Sequence, residues 1–420
     1  MNKAWASIVV YYLCGVMAAA QLGKFAALAP LISQDLALGL AAMAALTSLL
    51  EVSGAVFGGV AGRLLPRLGL RRGLMLALAC LGTGAVAAAL ARHAPLLAAA
   101  RLVESVGYLI TVVAAPVLIA RTAPRAQQAA AMTLWSTFVP VGMALGAWAY
   151  AHAAELGSWR WAQALSVAAA LVLMAGLWRA ATPGAEQTTQ TEPADPARPS
   201  SPQPPSSADA PRVHGVDPAL WLLTLAFGLY AVTEVGLLAL LPSLLVQSGA
   251  QLAGAGSWTA AAALANVPAS ALAAWLMRRQ GTIAWALVLP LLVSGLLFPW
   301  AYQVDQMDTG LLPQAVVAVL INLISGVFAS LVFALLPRFA ADERQLSLAS
   351  GRLTQCGASG ALLGPPLMGA LVQHWGWAAA GWASVGLALA SAGLAWRVVR
   401  GGRMAGRSVA AGQDMGSAVS

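Results

Sequence analysis

Twelve stretches of this chain are apolar for about twenty residues each, the length an α-helix needs to cross the hydrocarbon core of a bilayer. They cover residues 5–28, 42–63, 73–91, 96–120, 130–152, 160–179, 218–241, 256–277, 282–302, 312–336, 347–372 and 376–397. Inside hydrocarbon no water meets an unpaired backbone group, so only helices and closed barrels can span. A barrel strand alternates apolar and polar residues. These runs do not alternate, so helices are expected. Composition agrees, with 60% hydrophobic and 9% charged residues, against about 25% charged in a soluble domain. An ordinary cytosolic enzyme, a disordered chain and a disulfide-stapled secreted domain are thereby excluded. Cys14, Cys80 and Cys356 lie far apart within apolar runs and build neither a disulfide framework nor a metal knuckle. The first run has a rival reading as a signal peptide cleaved near Ala18-Ala19-Ala20. The apolar stretch continues past those residues to Pro30, which favours a spanning helix.

The net charge of +8 comes from 23 basic and 15 acidic residues. No basic stripe with interleaved aromatics appears, so nucleic acid is not an expected partner. The basic residues instead fall between the apolar runs. With the N-terminus inside, the cytoplasmic side holds Lys3, the four arginines of 63–72, Arg121, Arg125, Arg179, Arg198, Arg212, Arg278 and Arg279. It also holds Arg338, Arg344, Arg352, Arg397, Arg400, Arg403 and Arg407. Only Arg92 and Arg160 fall outside, while Lys24 and Arg101 lie within spans. The positive-inside rule then places both termini in the cytoplasm. Trp5, Trp159, Trp161, Trp300, Trp375 and Trp377 sit at span ends, where an interfacial aromatic belt is expected.

Residues 180–217 are rich in Pro, Ser, Ala and acid and have little to bury, so they read as a disordered cytoplasmic linker. The expected organisation is a six-helix bundle over 1–179, the linker, a second bundle over 218–397, and a cytoplasmic tail over 398–420. The two halves echo each other. Pro30 is expected to end the first span and Pro242 the seventh. Gly62-x-Leu64-x-x-Arg67-x-Gly69 follows span two, and Ala274-x-Leu276-x-x-Arg279-x-Gly281 follows span eight. Gly142 and Gly146 precede Gly157-Ser158-Trp159, as Gly360 and Gly364 precede Gly376-Trp377. Repeated bundles with a site between them near the midplane are transporter architecture.

Gly62-Arg63-Leu64-Leu65-Pro66-Arg67-Leu68-Gly69-Leu70-Arg71-Arg72 resembles the loop between helices two and three of the major facilitator superfamily. Gly62, Arg67, Gly69, Arg71 and Arg72 match that gating motif. Pro66 stands where the family has an Asp that helps latch the halves on the cytoplasmic side. Arg101-Leu-Val-Glu104-Ser105-Val-Gly107 is similar to the family's fourth-helix pattern, with Ser105 replacing its first glycine; in proton-coupled members this Arg is linked to proton movement. Gly142, Gly146, Gly360 and Gly364 resemble its helix-packing glycines, for which close approach of small residues is the physical reason. Gln21-x-x-Lys24, Pro242, Asn266-Val-Pro268 and the turn at Arg279 resemble the branch containing cyanate and nitroimidazole permeases. The resemblance implies an all-α membrane protein of twelve transmembrane helices in two pseudo-symmetric six-helix bundles, with helices one, four, seven and ten around a central cavity.

Five charges sit inside the apolar spans. At a rise of about 1.5 Å per residue, Lys24, Glu51, Glu104 and Glu234 lie about 12 Å below the outer face and Arg101 about 8 Å below it. Unpaired, each would cost roughly 2.5–3.5 kcal/mol or more at the bilayer centre, so pairing or a wet cavity is expected. Lys24 and Arg101 are expected to pair with Glu51 and Glu104, with Glu234 facing them across the halves. These five are the substrate or coupling candidates. No catalytic residue, metal site or cofactor is expected, and no phosphate-cradling loop occurs. The expected function is secondary transport of a small organic solute or anion by alternating access, with protons as the coupling ion. A multidrug efflux antiporter and a non-transporting membrane sensor are the alternatives. Expected partners are the small-molecule substrate, protons and the lipid bilayer, for a monomer in a plasma membrane such as a bacterial inner membrane.

Overall fold

The computed structural model describes residues 3–58, 69–179, 218–279, 283–303, 312–339 and 343–401, and every regular element among them is a helix. The first half comprises α1 (Lys3–Asp35), α2 (Leu40–Gly58), α3 (Leu70–Ala89), α4 (Ala94–Thr122), α5 (Ala130–Ser136 with Phe138–Glu155) and α6 (Trp159–Arg179). The second comprises α7 (Pro218–Gln247), α8 (Leu252–Met277), α9 (Ile283–Ala301), α10 (Leu312–Leu335), α11 (Glu343–Trp375) and α12 (Trp377–Arg400). The linker 180–217 and most of the tail lie outside the described residues. Each expected span has its helix. Ten qualify as spans by length and hydropathy, and the two pieces of α5 together make an eleventh. The twelfth, α11, is long enough at 33 residues. Its lower half carries Arg344, Arg352 and Gln355, which lowers its hydropathy; its packing along α7 and α2 puts it among the spans.

Successive helices run in opposite directions, so α1 and α7 both rise to the top from the bottom face, where α1 begins and α12 ends. Both halves use one packing scheme. α1 lies on α5 as α7 lies on α11; α3 lies on α4 and α6 as α9 lies on α10 and α12. The expected glycines set the first pair of contacts. A Cβ at Gly142 would stand 2.5 Å from the Val16 carbonyl oxygen, and one at Gly146 would strike the Ala20 carbonyl. In the other half Gly360 lies against the Gly228 carbonyl and Gly364 against that of Val232. Between the halves α5 packs on α8, α2 on α11, and α1 on α7. Large apolar side chains such as Leu171, Leu296 and Trp178 remain exposed on the outside, as a lipid-facing surface requires.

Two sequence expectations need correction, and one span bends. Pro30 and Pro242 do not end their spans: α1 continues to Asp35 and α7 to Gln247, each with the proline inside. A proline forfeits one backbone bond and bends the helix, and the apolar contacts of Ile32, Leu244 and Leu245 carry the helix onward. The fifth span bends by 41° at Thr137. Pro140 lacks the N–H that would reach the Ser136 carbonyl, and the Ser136 and Thr137 hydroxyls bond back to Thr133 and Leu134 carbonyls at the break. Trp159 leaves the interfacial belt. It is buried, donates to Asp35, and is covered by the Arg160 guanidinium, whereas Trp161, Trp300 and Trp375 stay exposed.

Candidate functional site

The residues 101 and 104 share one face of α4, because positions three apart on a helix are neighbours. That face turns into the first bundle. Lys24 of α1 donates to Glu104 Oε1 at 2.7 Å, and Arg101 donates to Glu104 Oε2 at 2.5 Å, with all three side chains fully buried. Gly84 of α3 makes the room, since a Cβ there would stand 2.5 Å from Glu104 Cγ. One carboxylate thus serves two cations. The Lys24 ammonium also reaches Ser166, whose hydroxyl donates to Gln21 and shares a 2.5 Å bond with the Tyr150 hydroxyl.

Arg101 has a second task. Its remaining N–H groups donate to the carbonyls of Thr47 at 3.0 Å, Leu46 at 3.3 Å and Gln21 at 3.4 Å, and its plane lies 3.9 Å from the Phe25 ring. Below those carbonyls α2 tightens into a 3-10 turn over Leu49–Glu51. Such a turn disturbs the regular i to i−4 pattern, and the guanidinium satisfies the carbonyls beside it. Arg101 therefore fixes the turn that presents Glu51.

Glu51 does not join the ion cluster. The Tyr108 hydroxyl, one turn along α4 from Glu104, stands near it, as does Arg101. It lines a small space between the halves together with Leu22 and Ala26 of α1, Thr47 and Ser48 of α2, Met143 of α5, Val235 and Ala239 of α7, and Ala361 and Pro365 of α11. The expected pairing is thus half right: Glu104 takes both cations and Glu51 takes neither. Of the expected quartet of lining helices, α1 and α7 border this small space, beside α2, α5 and α11.

Glu234 does not face the Lys24 cluster. It is buried within the second bundle, where the Ser325 hydroxyl of α10 donates to Oε1, while Oε2 has no partner among the described residues. Tyr230 and Tyr302 stand near it, and Asn266 donates to Asn322 elsewhere in this bundle at 3.1 Å. Of the gating-loop residues, Gly62 and Arg67 lie outside the described residues. Gly69 sits at φ +82 ahead of α3, a conformation glycine adopts without strain. Arg71 donates to the carbonyls of Leu177 and Trp178 at 2.7 and 2.8 Å, capping α6 within its own half, and Arg72 is exposed. Reading the sequence for charge alone missed Tyr108, Tyr150, Ser166 and Ser325. Their signal was a polar residue in an apolar span at the depth of a charge.

No curated protein matches the chain in sequence. Among solved structures, it superposes on a bacterial homolog of the human lysosomal transporter Spinster, inward-facing and occupied, with TM-score 0.77 and 15% identity. That match covers 94% of this chain and 96% of the other. A D-xylose–proton symporter gives TM-score 0.73 at 15% identity, over 94% and 97% of the two chains. At this identity the likeness speaks for the fold. The family model of the Major Facilitator Superfamily matches residues 11–345. Twelve helices in two like bundles, and a family match across both, have one conclusion: the chain is a multi-pass membrane transporter and belongs to the major facilitator superfamily.

Proposed function

We propose that this protein is a secondary transporter that moves a small organic solute or anion by alternating access, with a proton as the coupling ion. One observation carries the reading: Glu51 lines the small space between the halves, while Lys24 and Arg101 are fully buried and held by Glu104. An acid facing a mostly apolar space is a place where a proton or a cationic group on a solute can bind. An anion would reach Lys24 only by displacing Glu104. Glu234, with one oxygen unpartnered, offers a second proton-binding position in the other half. The short matches at Gln21-x-x-Lys24 and Asn266-Val-Pro268 are what supports a place in the cyanate and nitroimidazole permease branch. The apolar lining with one acid favours, as a second reading, efflux of lipophilic cations. The arginine distribution supports a cytoplasmic bottom face.

The experiment is flux into liposomes containing the purified protein, with small organic anions, cyanate-like solutes and lipophilic cations, with and without a pH gradient. Glu51→Gln is expected to abolish gradient-driven accumulation and to spare exchange down a solute gradient. Wild-type accumulation in both Glu51→Gln and Glu234→Gln would remove the coupling role from this layer. Flux of cations alone would decide for efflux.

A further inference from the structure

At the top face, two helices that cross between the halves begin without caps of their own. The first N–H groups of a helix have no partner inside it, and the residue before the helix usually supplies one from its side chain. α2 begins after Gly39, which has no side chain, and α8 begins after Gln251, whose side chain makes no capping bond. The acceptors come instead from the opposite half. Glu155, the last residue of α5, accepts from the Ala253 N–H of α8 at 2.6 Å. Gln373, near the end of α11, accepts from the Ala41 N–H of α2 at 3.1 Å. Ala253 and Ala41 hold the same place, the second residue of their helices. Glu155 and Gln373 also hold the same place, each four residues before the tryptophan that opens the next helix, Trp159 and Trp377. The two bonds are therefore related by the pseudo-symmetry of the molecule.

The backbones beneath them are already in contact. A Cβ at Gly256 of α8 would stand 2.6 Å from the Ala147 carbonyl oxygen of α5, and one at Gly369 of α11 would stand 2.9 Å from the Ala44 side chain of α2. Separating the halves at the top would break both caps together and leave two helix starts to water.

We infer that Glu155 and Gln373 form the top gate, a reciprocal pair of helix caps given by each half to the other, holding the molecule closed on that face. The pair is unequal. Glu155 places a negative charge at the positive end of α8 and gains from the helix dipole, while Gln373 supplies only a neutral acceptor. The inference rests on alternating access, but its test reads the gate without any substrate, so a silent flux assay leaves it standing.

The test is a distance measurement between spin labels at Arg92→Cys and Trp375→Cys, exposed top-face positions in opposite halves, with Cys14, Cys80 and Cys356 replaced by Ser. Glu155→Met and Gln373→Met keep the length of the side chain and remove the acceptor. Each is expected to shift the closed-to-open ratio about fivefold toward the longer distance, with the double variant near the product of the two. Glu155→Gln retains an acceptor but loses the charge, and is expected to lie between wild type and Glu155→Met. Gly256→Leu, which cannot pack against Ala147, is the control that opens the top. If both Met variants keep the wild-type distance distribution while Gly256→Leu lengthens it, the caps do not hold the gate. If Glu155→Gln opens as far as Glu155→Met, the contact is not a cap, and the inference is likewise overturned.

Discussion

Glu104 is the residue on which the interior of the first half depends. Two buried cations share its carboxylate, so Glu104→Gln removes the charge that holds both. Breaking a buried ion pair from one side costs about 3–5 kcal/mol, and thermal unfolding of the purified variant is expected to show a lowered transition or no folded protein. Glu51→Gln keeps a group that can bond to Tyr108 and is expected to unfold at nearly the wild-type temperature. Equal stability of the two variants would mean that the ion cluster adds nothing to the fold. The depth of these charges was legible in the sequence, because helix rise converts residue number into height. Their pairing was not. Height does not say which way a side chain points around the helix, and only the tilt and rotation set by packing turned Glu104, rather than Glu51, toward both Lys24 and Arg101. The same limit hid Glu234, which shares the depth of the cluster and faces Ser325 of its own bundle.

At the scale of elements, glycine at the crossing of α1 and α5, and of α7 and α11, permits backbone contact where a membrane offers no hydrophobic drive for helices to associate. Gly146→Leu and Gly364→Leu put a branched side chain against the carbonyls of Ala20 and Val232. Both are expected to reduce the monodisperse fraction in size-exclusion chromatography severely. Gly254→Leu, where a Cβ meets nothing within 4 Å, is expected to be harmless. Normal behaviour of all three would show that the crossings tolerate a wider spacing. The glycine spacing was legible because the motif is local. The breaks inside helices were less so. Pro140 coincides with a 41° bend in α5, yet Pro30 and Pro242 are carried through α1 and α7. A proline removes one bond in each case, and neighbouring helices decide whether the rod continues. The 3-10 turn of α2 has no proline at all; the arginine that supports it lies on another helix, 50 residues away in sequence.

At the scale of the molecule, two halves of one design meet along α2 and α11 and along α5 and α8. Six helices in each half orient both halves alike in the bilayer. The arginines agree. Counted with the N-terminus inside, 19 of the 23 basic residues fall on the bottom face or in the segments attached to it and only Arg92 and Arg160 on the top. The excess lies in short loops and beside helix ends, where it governs orientation, and it recurs in both halves: Arg71, Arg121 and Arg179 in the first, Arg278, Arg338 and Arg397 in the second. Reversing the molecule would carry all of these across the membrane. A cysteine at position 200, in the segment joining the halves, is therefore expected to react with an impermeant thiol reagent only when the cytoplasmic side is opened. One at Leu156, 92% exposed on the top face, is expected to react in intact cells, with the three native cysteines replaced by Ser in both cases. Labelling at 200 from outside, with Leu156→Cys protected, would invert the orientation and place the capped gate of Glu155 and Gln373 on the cytoplasmic side.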